Sequence, residues 1–177
     1  SEIEKLKEEI RRLLEEIKRH AEENKRRVET ALRDIERHVE ENTRRVAKVE
    51  EEIKKLKDRV RREELDEILK RVKDHLEEAK RRIKEILRRV EEHVKRSKRR
   101  IDELLRRLKE KVARIKEAGV DKDELDKVEE EAKRVAEEVK EIHDRVLEEV
   151  RRVVDRVLKA HDEVLRRLER VVREVKR

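Results

Sequence analysis

Residues 65–82 read LDEILKRVKDHLEEAKRR, residues 83–100 read IKEILRRVEEHVKRSKRR and residues 101–118 read IDELLRRLKEKVARIKEA. The three lines align without a gap: Leu65, Ile83 and Ile101 open them, and His75 and His93 hold the same place in the first two. A repeat of 18 residues is five turns of an ideal α-helix, so every equivalent position returns to one face. The segments contain no caps or breakers, so this is a repeat within a helix and not a chain of folded modules.

The same spacing extends in both directions. Residues 125–142, 143–160 and 161–177 form a second aligned set, and a looser pair starts at His20 and His38. His20 and His38, His75 and His93, and His143 and His161 are each 18 residues apart, which places each pair on one helical face about 27 Å apart. In the first helix the expected inward positions run Leu6, Ile10, Leu13, Ile17, His20, Asn24, Val28, Ala31, Ile35, His38, Asn42, Val46, Val49, Ile53, Leu56 and Val60. Their mean step is 3.6 residues. A heptad pattern at 3.5 supercoils to the left and an eleven-residue pattern at 3.67 to the right. A stripe at 3.6 stays on one side of a straight helix, so the sequence predicts an untwisted bundle.

Composition removes most function classes. The chain of 177 residues is 59% charged and 33% hydrophobic, with no aromatic, proline, cysteine or methionine and one glycine. That is the profile of long helices. It rules out disulfides and thiol chemistry. No apolar run reaches the roughly 18 residues of a membrane span. The acidic start is a helix start and not a signal peptide, so a soluble protein suited to recombinant cytoplasmic expression is expected, with no targeting signal. The net charge of +7 is the small difference between 56 basic and 49 acidic residues, which serves solubility more than nucleic-acid binding. Lys and Arg are interleaved with Glu and nothing can stack on bases, so neither nucleic acid nor membrane is expected as a partner. No nucleophile–base pair or phosphate loop is present, and an enzyme is not expected.

Two breaks divide the chain into helices of about 2–57, 62–118 and 122–177 within a single domain, 1–177. In the second break Gly119 suits a left-handed position, Asp121 and Glu124 form an acidic variant of the capping box, and Val120 with Leu125 makes a hydrophobic staple. The first break aligns with it, but Arg59 replaces the glycine and Arg61 the capping aspartate. The phase change between Val60 and Leu65 places a turn at about 58–61. The fold class expected is all-α: a straight antiparallel three-helix bundle about 80 Å long, monomeric and without obligate partners.

Residues at one depth of an antiparallel hairpin have numbers of constant sum. His93 with His143 and His75 with His161 both give 236; His20 with His93 and His38 with His75 both give 113. Two three-histidine layers follow: His20, His93 and His143, then His38, His75 and His161. Asn24, Asn42 and Ser97 lie four residues after His20, His38 and His93 on the same stripe. A core Asn is costly unless hydrogen-bonded and commonly fixes register. Neutral imidazole offers one donor and one acceptor, so the layers read as internal hydrogen-bond networks. The alternative is metal, since three converging imidazoles form an open zinc site. Asp74, Asp144 and Asp162 adjoin histidines in sequence but point about 100° away and read as solvated charges. No cofactor is expected in the first reading, and zinc or another transition metal in the second.

Taken over its whole length, the chain resembles de novo designed, parametrically generated three-helix bundles of the untwisted 18-residue-repeat type. The resemblance rests on the repeats at 65–118 and 125–177, the lack of aromatics and the dense Glu/Arg/Lys surface. It implies a structural scaffold whose buried histidine networks confer pH-dependent stability, or else three-histidine metal sites. Reversal of the chain at 58–61 predicts monomer mass and a rod near 80 Å in solution scattering; a particle of about twice that length would show that the first two helices run on as one.

Overall fold

The computed structural model describes residues 1–177 and contains three long helices: α1 (Glu2–Leu56), α2 (Arg62–Glu117) and α3 (Lys122–Lys176). There are no strands, and the protein is all-α. Each helix opens on acidic residues and closes on basic ones, as Glu2 and Glu4 against Lys54 and Lys55 in α1. This arrangement opposes the helix macrodipole at both ends.

The fold divides into two compact units. One comprises Ser1–Glu29 and Val90–Glu148, the other Thr30–Arg89 and Glu149–Arg177. In the first, Ile10, Leu14, Ile17 and Ala21 of α1 pack with Ile101, Leu104, Leu108 and Ile115 of α2 and with Val135 and Val139 of α3. In the second, Val46 and Ile53 pack with Leu65 and Leu76 and with Val164, Leu168, Val171 and Val172. Both cores are aliphatic throughout.

Ion pairs record the register inside each unit. In the second unit Lys80 binds Asp162 at 2.7 Å, Lys73 faces Glu169 at 3.5 Å, and Lys176 binds Asp66. These pairs step by seven residues in opposite directions along α2 and α3, so the two helices are antiparallel. In the first unit Lys111 reaches Glu9 at 2.6 Å and Lys7 reaches Glu124 at 3.0 Å. Such exposed pairs contribute well under about 1 kcal/mol each. The register comes from the aliphatic rows, and the charges mark it.

The two turns use different residues for the same purpose. Gly119 has φ 80, the left-handed value that a helix C-terminus commonly takes and that glycine adopts without strain. Val120 and Leu125 pack against the core of the first unit. Glu124 accepts from Lys7 at 3.0 Å, so its carboxylate is engaged with α1. In the first connection the left-handed residue is Lys57, φ 38, and not Arg59. A short 3-10 turn at Lys57–Arg59 follows α1, and Val60 N–H donates to the Lys57 carbonyl at 3.3 Å. Arg61, in the capping position, turns its guanidinium onto Glu64 at 3.0 Å. Arg62 also donates to the Lys176 carbonyl at 2.9 Å, tying the start of α2 to the end of α3.

A lysine at positive φ carries a Cβ penalty of about 1–2 kcal/mol that glycine avoids. A Cβ added at Gly119 would meet nothing within 4 Å, so a substitution there is penalised through φ alone. Lys57→Gly should therefore raise unfolding free energy by up to about 1 kcal/mol and Gly119→Ala should lower it by about the same. Denaturant midpoints at unchanged slope would check both.

Candidate functional site

The six histidines do not occupy equivalent environments. His161 is buried, 1% exposed. His20, His93 and His143 are half-buried, and His38 and His75 are exposed. The two buried layers expected from the sequence, His20, His93, His143 and His38, His75, His161, are thus not assembled as enclosed triads. Nowhere do three or more His, Asp or Glu side chains gather closely enough to hold a metal ion, so the three-histidine zinc geometry is also not formed.

The reason lies one residue away. In α1 and α2 the residue after each histidine is buried: Ala21, Val39, Leu76 and Val94. Leu14, Leu32 and Leu87 are buried with them. Successive residues on a helix are about 100° apart, so a face centred near these positions leaves the preceding histidine at its edge. An aliphatic side chain gains about 1.5–3 kcal/mol on burial, while an imidazole must give up water. In α3 the inward face runs instead through His161, Val164, Leu168 and Val171, and the histidine lies at its centre.

Two clefts between α1 and α2 collect the edge histidines. The first belongs to the unit of Ser1–Glu29 and Val90–Glu148 and is lined by His20, Glu23, Asn24, Arg27, His93, Arg96 and Ser97. The second, in the other unit, is lined by His38, Glu41, Asn42, Arg45, His75, Glu78 and Arg82, with Ile35, Ala79, Ile83 and Ile86. The pairings His20 with His93 and His38 with His75 are those the constant-sum rule gave. Asn24 lies on the first cleft and is 3% exposed, with its Oδ1 enclosed and without a partner. Asn42 is half-buried, and so is Ser97. His20 Nε2 stands 3.8 Å from Glu16 Oε1.

Charge and burial act together on three of the rings. Burial holds the His161 pKa below the ordinary imidazole value; Lys80 and His75 add to this, and Asp162 opposes it. Burial does the same to His93, reinforced by Arg27 and Arg96. For His143 burial again leads, with Lys98 assisting and Asp144 and Asp102 opposing. His143 therefore has its polar neighbours in Lys98 and Asp102. Neither ring nitrogen of His161 has a hydrogen-bond partner.

Four relevant residues were missed from the sequence. Arg27 and Arg96 lie seven and three residues beyond His20 and His93, and helical spacing alone puts them on the histidine face. Asp162 reads from the sequence as a solvated charge and Lys80 carries no signal there, yet Lys80 donates to Asp162 at 2.7 Å in a part-buried pair beside His161.

No protein-family model and no curated protein matches the chain. Among solved structures it is similar to one described as a computationally designed three helix bundle, with 16% identity and a TM-score of 0.48, over 99% of this chain and 92% of that one.

A buried imidazole without partners is a net liability at neutral pH. His161→Leu keeps the volume near constant and removes two unsatisfied nitrogens, so it should stabilise the protein by about 1–3 kcal/mol at pH 7.5. A decrease in the denaturant midpoint would show that the ring makes polar contacts worth more than its desolvation.

Proposed function

We propose that this chain is a designed structural scaffold, an untwisted three-helix bundle whose stability falls in acid. The observation that carries the acid response is His161, fully enclosed with both nitrogens unpartnered. The repeat of 18 residues through all three helices, the aliphatic cores and the dense ionic surface support the scaffold reading. The lack of a convergent acid, base or nucleophile constellation supports no catalytic alternative.

The sign of the response follows from linkage. His161, His93 and His143 all have folded-state pKa values below the unfolded value, which is near 6.5. Below that pH the unfolded chain takes up protons that the folded chain refuses. Stability is then complete at neutral pH and is lost progressively as pH falls from about 6.5, until the folded-state values are passed. At His161 burial is the leading cause, with Lys80 and His75 adding to it and Asp162 opposing. In this reading no metal is needed. The first cleft carries Arg27 and Arg96, which disfavour a dication.

Thermal or denaturant melts at pH 7.5 and pH 4.5 test the reading directly. The protein should melt lower at pH 4.5, most of that difference should vanish in the His93→Leu, His143→Leu, His161→Leu variant, and equimolar zinc at pH 7.5 should leave the melt unchanged. A wild-type midpoint equal at both pH values would discard the acid response, and a zinc-dependent rise lost on mutating the histidines would replace this reading with a metal site.

A further inference from the structure

The two α1/α2 clefts are built on one frame and differ by a charge reversal. A shift of 18 residues carries His20, Asn24 and Arg27 onto His38, Asn42 and Arg45, and on the antiparallel strand of the pattern it carries His93 onto His75. It also sets Arg96 against Glu78 and Ser97 against Ala79. In the second cleft Glu78 accepts from Arg82 at 3.1 Å, so that guanidinium is neutralised within the cleft. In the first, Arg27 and Arg96 both bear on His93 and neither forms an ion pair with a carboxylate. Other α2 arginines differ: Arg88 is tied to Glu85 at 2.6 Å and Arg107 to Glu103 at 3.0 Å, while Arg81, Arg99, Arg106 and Arg114 lie outside the cleft. Two guanidiniums without ion pairs therefore line a cleft that also holds Glu23, two imidazoles and a hydroxyl, with Glu16 3.8 Å from His20.

Asn24 lies on this cleft, 3% exposed, with its Oδ1 enclosed. A ligand that completes the cleft brings negative charge and several acceptor oxygens for the arginines, Ser97 and the imidazoles. Arginine forks match the spacing of tetrahedral oxyanions.

We propose that the cleft between α1 and α2 formed by His20, Asn24, Arg27, His93, Arg96 and Ser97 binds a tetrahedral oxyanion such as inorganic phosphate. The second cleft, with Glu78 and Ala79 in place of Arg96 and Ser97, does not. Binding recruits charge to a site that the apolar cores leave open at their edge, and it is independent of the acid response carried by His161.

Isothermal titration of the full chain with inorganic phosphate at pH 7.5 and low salt tests this. One site per chain is expected, and sulfate, which has the same shape, should compete for it. Arg96→Glu should weaken phosphate by about tenfold or more. Arg99→Glu makes the same change in net charge on the same helix outside the cleft, and it should alter affinity by less than about twofold. Both arginines are exposed, and an unchanged circular dichroism spectrum confirms that each variant is folded. Glu78→Arg with Ala79→Ser should raise the stoichiometry to two. Equal losses in Arg96→Glu and Arg99→Glu, or no saturable heat in the wild type, would overturn the site and leave only general screening of the net charge of +7.

Discussion

Eighteen residues make five turns of an α-helix, and almost every feature of this protein depends on that equality. Because the period and the turn are commensurate, an aliphatic position such as Ile10 recurs at Val28 and Val46 on the same side of α1, and all three are buried. Ile17, Ile35 and Ile53 form a second such row and are at most 2% exposed. Nothing else in the chain is strong enough to set the register. The surface ion pairs are numerous but solvated, and the turns offer one glycine between them. Burial of a narrow aliphatic face, repeated along the length of each helix, is the dominant favourable term.

The same constraint decides where polar residues can go. An 18-residue repeat that places a histidine on one face places its successor about 100° further round, and the two compete for the centre of that face. In α1 and α2 the successor is Ala21, Val39, Leu76 or Val94 and wins on hydrophobic grounds, so the imidazoles are left at the rim beside water. In α3 the successors of the histidines are Asp144 and Asp162, which cannot compete. His161 lies inside, although its nitrogens find no partner there, while His143, also followed by an aspartate, is only half-buried. The rim position of the α1 and α2 histidines thus follows from the residue after each, whereas His143 and His161 differ in depth with the same successor.

Much of this was legible in the sequence. The number of helices, the turn at Gly119, the packing of Val120 and Leu125 and the α1/α2 histidine pairs all follow from period and spacing, which are properties of one chain read along its length. The histidine layers were not legible, because a single stripe of mean step 3.6 has two edges. A stripe through His20 and His38 is no better in period than one through Ala21 and Val39. Only packing against the other helices resolves a rotation of a fraction of a turn. The first connection was hidden for another reason: Lys57 takes a left-handed φ that its residue type does not advertise, while Arg59, aligned with Gly119, does not need one.

If the commensurate stripe is what holds the fold, shifting its phase within a helix must be far more damaging than lengthening a turn. The direct measurement is the denaturant midpoint of two variants, one with a single alanine inserted after Lys95 in α2 and one with a single glycine inserted after Val120. The first rotates Ile101, Leu104, Leu108 and Ile115 by about 100° away from their partners and should lower unfolding free energy by more than about 4 kcal/mol, the scale of losing several core side chains. The second should alter it by less than about 1 kcal/mol. Equal, small effects from both insertions would contradict the account.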